Sequence, residues 1–203
     1  MGQNVVVPRT ISYGPHVSDE SELRLCGDPN AKRAIELGIS AAQNAVTLAE
    51  LGAKAIAVDP RPDQISASRR AADAAGVRVE FHQAELGDLG FATSASVDLV
   101  VAADSLAQVD DLARVLRQVH RVLKPECALV IATAHPMAGF NATMYGEVPS
   151  RYGTGGTRSI SDWFTSLYRS NFRVDSMHEL FDATRPRDLA PSMLVVRARK
   201  LGV

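Results

Sequence analysis

The sequence predicts an α/β fold with a doubly wound, mostly parallel seven-stranded sheet and helices on both faces. Short apolar segments alternate with amphipathic segments of helical period from residue 32 to residue 133, and the connections between them are short. Strands that are apolar throughout are typical of parallel sheets, which helices cover on both faces. The 203 residues, with 46 % hydrophobic side chains, suffice for one domain with a large core.

The chain begins with a lead-in arm, residues 1–16, which is rich in turn formers. Ser18 or Asp19 then caps a short helix, which ends at a turn containing glycine and proline. We assign the arm and the short helix to residues 1–31 and the α/β domain to residues 32–203.

The α/β domain is built from short apolar strands and longer amphipathic helices. The predicted strands are residues 33–37, 54–59, 77–81, 97–102, 128–132, 172–178 and 193–198. The predicted helices are residues 42–51, 62–75, 109–123 and 160–170. Residues 137–158 are rich in glycine and read as a long loop that shapes a binding pocket.

Composition and charge argue against several classes of function. A net charge of −1, from 22 basic and 23 acidic side chains, predicts no broad surface for nucleic acid or an anionic membrane. We expect neither a signal peptide nor a membrane span, since no apolar run reaches about 18 residues. Cys26 and Cys127 lie near no histidine at metal-ligand spacing, so we expect no metal and a cytoplasmic location.

The turn after the first predicted strand has the character of a ligand-binding loop. Glu36 is followed by a run of small residues that includes Gly38, Ser40, Ala41 and Ala42. Small residues let a backbone approach a ligand closely, and the turn leads into a helix N-terminus, whose N–H groups face outward.

This stretch resembles motif I of class I S-adenosylmethionine-dependent methyltransferases, an acidic residue followed by Gly-x-Gly-x-Gly. Glu36 and Gly38 match the motif, whereas Ser40 and Ala42 replace its second and third glycines. The resemblance implies a Rossmann-like methyltransferase fold with S-adenosylmethionine as cofactor. It places Glu36 in the cofactor-binding motif and puts Gly38 and Ser40 at the methionine end.

Further cofactor-binding residues follow the other strands. Asp59 ends the second strand, where a carboxylate can accept hydrogen bonds from both ribose hydroxyls. The resemblance implies that Glu85 meets the adenine amino group, that Leu86 lines the base and that Ala102 lies beside the sulfonium. His135 directly follows the fifth strand, so we expect it at the mouth of the site as a general base or as a solvated loop histidine.

Two groups of aromatic and arm residues have alternative interpretations. Tyr13 and His16 belong either to an arm that folds over the cofactor or to an ordinary surface arm. Trp163, Phe164 and Tyr168 lie at helical spacing and are predicted to be core rather than a substrate cage.

The leading functional hypothesis is methyl transfer to an unidentified small-molecule acceptor. A catalytically inactive relative that serves as a binding or scaffolding partner is the alternative, motivated by Ser40, Ala42 and the Glu126–Cys127 pair in place of a Gly-Gly turn. Binding of another adenosine-containing ligand is a third hypothesis. A nicotinamide enzyme is disfavoured because Gln43 stands where its motif needs glycine. A homodimer stays open, since the sequence does not determine the oligomeric state.

Overall fold

The computed structural model describes residues 10–145, 152–153 and 157–202. In these residues the strands are β1 Arg33–Leu37, β2 Lys54–Asp59, β3 Val79–Gln83, β4 Val97–Ala103, β5 Leu123–Ala134, β6 Phe172–Leu180 and β7 Met193–Lys200. The helices are α1 Glu20–Leu23, α2 Asn44–Glu50, α3 Pro62–Ala75, α4 Leu112–Val122 and α5 Ile160–Arg169, with a 3₁₀ helix at Ala138–Tyr145. No helix among the described residues combines the length and the apolar character needed to cross a bilayer.

All of these strands belong to one sheet with the order β3-β2-β1-β4-β5-β7-β6. The pairings from β3 through β5 are parallel, and β7 runs antiparallel to both of its neighbours. The predicted doubly wound, mostly parallel sheet of seven strands is therefore confirmed. Strand order reverses between β1 and β4, and in such sheets the crevice beyond the carboxyl ends at this point binds ligands.

Alternating side chains of the strands build a core on each face of the sheet. Ile35 and Leu37 of β1 face the side covered by α4 and α5, where Trp163 and Leu167 are buried. Ala34 lies on the opposite face together with Ile11 and Tyr13 of the arm. The described part of the arm is thus part of the core, which explains why it holds a fixed position over the sheet.

The predicted strands and helices are found, but several of their boundaries differ from the predicted ones. The third strand was expected at residues 77–81 but lies at Val79–Gln83. The N–H of Val77 is used to close helix α3, because it donates to the carbonyl of Ala72 beyond a left-handed Gly76. The loop predicted at residues 137–158 holds a 3₁₀ helix at its start, and residues 146–151 and 154–156 lie outside the described part.

The aromatic residues of α5 do not all enter the core. Trp163 is 1 % exposed, as predicted, but Phe164 and Tyr168 are 51 % and 71 % exposed. Trp163 and Leu167 are four residues apart and share the face that packs on the sheet. Phe164 and Tyr168 lie about 100° further around the helix and stack on one another at the surface instead.

Candidate functional site

The loops that follow β1, β2, β3 and β4 meet at the point where the strand order reverses and enclose two adjoining cavities. The first has a volume of about 630 Å³ and the second about 570 Å³. Both volumes fall in the range of small-molecule sites, about 300–1,000 Å³. Among the described residues, Arg61, Asp104 and Ser105 line both cavities.

The buried side chain of Glu36 holds the loop between β1 and α2 in place through hydrogen bonds. It is fully buried, and its carboxylate accepts hydrogen bonds from the N–H groups of Ser40, Asn44 and Ala45 and from the Ser40 hydroxyl. Burial raises the pKa of Glu36, although these hydrogen bonds oppose the shift. The N-cap residue of α2, Gln43, supplies no side-chain hydrogen bond, so Glu36 satisfies the first N–H groups of that helix instead.

Position 38 requires glycine for two reasons: the left-handed backbone conformation there and the close approach of Ser105. Its φ is +78°, and a Cβ at this position would lie 2.2 Å from Cβ of Ser105. The hydroxyl of Ser105 donates to the carbonyl of Leu37 over 2.5 Å, which holds the β4 loop against the β1 loop. The N–H of Gly38 donates to the Val58 carbonyl over 2.7 Å, so the loop is fixed to β2 as well.

The two residues that replace motif glycines leave the crevice open. The Ser40 hydroxyl turns back to Glu36, 2.9 Å away, instead of projecting toward a ligand. Ser40 and Ala42 both lie in the wall of the second cavity. The loop can therefore carry a hydroxymethyl and a methyl group without losing the space between it and the arm.

Asp59 is directed into the site and is only 1 % exposed. Its carboxylate accepts hydrogen bonds from the N–H of Ile39 at 2.7 Å and the N–H of Arg61 at 2.8 Å. The Arg61 guanidinium adds a bidentate pair, with Nε at 2.9 Å and Nη2 at 2.8 Å. Burial favours the neutral acid, but these donors outweigh it and hold the pKa of Asp59 below its ordinary value.

Several predicted residues come together in the first cavity. Gly38, Asp59, Glu85 and Leu86 all line it, although they lie at or just after the ends of three different strands. In the part of the chain that the structure describes, neither Glu36 nor Ala102 lines either cavity.

Ala102, which the resemblance places beside the sulfonium, lines neither of the two cavities. Ala102 is fully buried, because β4 continues to Ala103. Asp104 and Ser105 are the residues that reach the cavities. Asp104 was missed, although an acidic residue directly after a buried strand is the signal that identified Asp59.

Asp104 lines both cavities and so lies where they adjoin. The residue has a left-handed backbone, φ +57°, and its N–H donates to the Ala132 carbonyl over 2.7 Å. The crevice partly desolvates the carboxylate and raises its pKa, although a hydrogen bond with the Ala134 backbone opposes the shift. A carboxylate with a raised pKa at such a junction can exchange a proton with a bound molecule.

His135 does not face the mouth of the site as expected. It is 1 % exposed, and its Nδ1 accepts the N–H of Met137 over 3.0 Å. Its Nε2 lies 3.0 Å from Oε1 of Glu179, so we assign the ring proton to Nε2. Both ring nitrogens are engaged, because pairing of β5 with β7 continues to Met193 and draws the histidine inward. This geometry disfavours the predicted role of general base.

The arm closes the outer side of the second cavity. Tyr13, Gly14 and Pro15 line it. The buried side chain of Asn44 holds the arm, since it accepts from the N–H of Ser12 and donates to its carbonyl, both at 2.9 Å. The described arm therefore covers the crevice, which agrees with the first of the two interpretations given to Tyr13.

Comparison with known proteins adds information at the level of sequence and fold. A family profile described as "Methyltransferase domain" matches residues 35–131. A "Ubiquinone biosynthesis O-methyltransferase" from Azorhizobium caulinodans is 31 % identical over 104 residues, which are 50 % of this chain and 40 % of that protein. A protein of the same name from Xanthomonas axonopodis is 26 % identical over 138 residues, 67 % of this chain and 58 % of that protein. The chain thus spans about half the length of these curated relatives.

Solved structures share the architecture. An S-adenosylmethionine-dependent methyltransferase from Mesorhizobium loti has a TM-score of 0.69 at 23 % identity, with 85 % of this chain and 93 % of that chain covered. At this level of identity the likeness shows the fold.

Proposed function

We propose that this chain is a class I S-adenosylmethionine-dependent methyltransferase, which transfers a methyl group from S-adenosylmethionine to a small-molecule acceptor. The match of residues 35–131 to a methyltransferase domain supports the proposal. One observation carries the proposal. Gly38, Asp59, Glu85 and Leu86 line a single cavity of about 630 Å³ at the point where strand order reverses.

The residues of the first cavity fit an adenosyl ligand chemically. Asp59 carries the type of carboxylate that can bind ribose hydroxyls, and Glu85 offers an acceptor to an amino group. Leu86 supplies an apolar surface for a flat base, and Gly38 allows a close backbone approach. When bound, S-adenosylmethionine supplies an electrophilic methyl group on a positively charged sulfur.

We propose that the acceptor atom is a hydroxyl oxygen and that the acceptor occupies the second cavity. The relatives are named as O-methyltransferases, and the second cavity adjoins the first at Arg61, Asp104 and Ser105. Asp104 would accept the hydroxyl proton as the bond from oxygen to methyl carbon forms and the bond from that carbon to sulfur breaks. Its raised pKa makes it a stronger base than an ordinary aspartate once it is ionised.

The chain itself contributes position and exclusion of water. The arm covers the second cavity through Tyr13, Gly14 and Pro15, and Asn44 fixes the arm to helix α2. Holding acceptor and donor in line is the principal contribution that such a site makes to rate.

The remaining proposals concern organisation and location. We propose that residues 32–203 form the methyltransferase domain and that residues 1–31 form an arm over its site. We also propose a cytoplasmic location, supported by two free cysteines, Cys26 and Cys127, in the described chain.

Calorimetric titration with S-adenosylhomocysteine tests the proposed function. We expect micromolar binding in the wild type and a loss of at least about 1.5 kcal/mol, or tenfold, in Asp59→Ala, because hydrogen bonds to a charged group contribute about 1.5–3 kcal/mol. Exposed Asp73, on the neighbouring helix, provides the matched control Asp73→Ala. Absence of heat at millimolar ligand would contradict the proposal, and heat with another adenosine-containing ligand in the same titration would favour the third hypothesis.

A further inference from the structure

The carboxylate of Asp59 has no acceptor position left for a ligand. Oδ2 accepts from the N–H of Ile39 and from Nη2 of Arg61, and Oδ1 accepts from the N–H and from Nε of Arg61. A carboxylate has about four lone-pair positions, two on each oxygen. Ribose hydroxyls that approach Asp59 therefore meet two oxygens that are already satisfied.

The four donors differ in how easily they can leave. The N–H groups of Ile39 and Arg61 belong to the backbone of loops that the sheet holds in place. The guanidinium is at the end of a long side chain that is 56 % exposed, although its partner Asp59 is buried. Its remaining contact is a hydrogen bond from Nη2 to the Ile39 carbonyl at 3.2 Å. Only this guanidinium can move aside without rearrangement of the backbone.

The guanidinium also stands where a ligand would enter. Arg61 lines the first cavity next to Asp59 and Pro60, and it lines the second cavity next to Gln64 and Ser40. A guanidinium released from Asp59 therefore has space on its other side, toward the second cavity.

We propose that Arg61 is a displaceable latch on the ribose-binding carboxylate. In the ligand-free chain the guanidinium neutralises the buried charge of Asp59, which would otherwise be costly to keep away from water. An adenosyl ligand replaces the two guanidinium hydrogen bonds with two hydroxyl hydrogen bonds, and the arginine swings toward the second cavity. The inference rests on the proposed function, because it takes the ligand to carry a ribose with free hydroxyls.

A latch of this kind lowers the apparent affinity for the ligand. Only the form in which Arg61 has left Asp59 can bind the ribose. The apparent dissociation constant is therefore inversely proportional to the fraction of the free protein in that form. The guanidinium side of the pair is 56 % exposed, so the energy needed to release it from Asp59 is modest, and we expect removal of the guanidinium to tighten binding about fivefold.

The test compares two ligands on three proteins by calorimetry at neutral pH. The ligands are S-adenosylhomocysteine and its 2′,3′-dideoxy analogue, and the proteins are wild type, Arg61→Ala and Arg70→Ala. Arg70 is an exposed arginine on α3 and serves as the matched control. We expect Arg61→Ala to bind S-adenosylhomocysteine about fivefold more tightly, with no change for the dideoxy analogue and no effect of Arg70→Ala on either ligand.

The outcomes separate the latch from the proposed function. If wild type binds S-adenosylhomocysteine and Arg61→Ala binds it equally or more weakly, the latch is refuted and methyl transfer stands. Equal tightening for both ligands also refutes it, since the effect would not involve the hydroxyls. If neither protein binds at millimolar ligand, both proposals fail.

Nuclear magnetic resonance provides a readout that needs no substituted protein. The Nε–H signal of Arg61 should be protected from solvent exchange in the free chain, because it donates to Oδ1 of Asp59. Saturation with S-adenosylhomocysteine should speed its exchange at least tenfold, whereas a signal that stays protected shows that the pair remains closed and refutes the latch.

Discussion

Replacement of Gly38 by alanine combines two costs that the structure allows to be separated. The new Cβ would lie 2.2 Å from Cβ and 2.8 Å from Oγ of Ser105, far inside a normal carbon contact of about 3.5–4.0 Å. The φ of +78° adds the cost of a left-handed residue with a side chain. Overpacking costs about 1–3 kcal/mol and the backbone strain a further 1–3 kcal/mol, so we expect a loss of about 2–6 kcal/mol.

Urea unfolding of three variants measures the overpacking cost and the backbone cost separately. Gly76 has a φ of +67° and no heavy atom within 4 Å of a built Cβ, so Gly76→Ala measures the conformational cost alone. Gly38→Ala/Ser105→Gly removes the overlap and should recover about 1–3 kcal/mol relative to Gly38→Ala, less about 1 kcal/mol for the lost hydrogen bond from Ser105 to Leu37. The reasoning is refuted if Gly38→Ala loses no more stability than Gly76→Ala, or if the second substitution recovers nothing.

Two further predictions concern the proton acceptor and the altered motif. Asp104→Asn should lower the rate of methyl transfer about a hundredfold or more with unchanged S-adenosylhomocysteine affinity. The wild-type rate should fall as pH drops through the raised pKa of Asp104, because the base must be ionised, and a pH profile that is the same in both proteins would contradict this role. Ser40→Gly should lower stability by about 1 kcal/mol, through the lost hydrogen bond to Glu36, and leave S-adenosylhomocysteine affinity within about twofold. A tenfold gain in affinity would show that the Ser40 side chain obstructs the ligand.

Among the site residues, those at the ends of strands could be predicted most directly from the sequence. Asp59 could be placed because a buried apolar run ends at that residue and the carboxyl ends of parallel strands share one edge. After β4 the resemblance pointed to Ala102, whereas the strand extends to Ala103 and Asp104 is the acidic residue that reaches the cavities. The pattern of hydrophobic residues predicts the existence of a strand more accurately than it predicts the residue at which the strand ends.

Features that depend on contacts between distant side chains could not be predicted from the sequence. The burial of His135 follows from the length of the β5–β7 pairing and from Glu179 on β6, a residue 44 positions away. The pairing of Arg61 with Asp59 depends on one rotamer of a long side chain, about which a pattern of hydrophobic residues carries no information. Resemblance supplied Glu85 and Leu86, and the structure shows that they line the same cavity as Asp59.

The Glu36 carboxylate accepts four hydrogen bonds from the loop and from the start of α2, which affects the substitutions that this loop can tolerate. Because an acid buried under the turn shapes the main chain there, the second and third glycines of the motif can change while the turn persists. The acid itself cannot be exchanged so freely, since its removal would strand several buried amides at once. Substitution at the two glycine positions should therefore be tolerated more readily than substitution of Glu36, near the end of the first strand, which makes the acid a better landmark of this turn than the glycines.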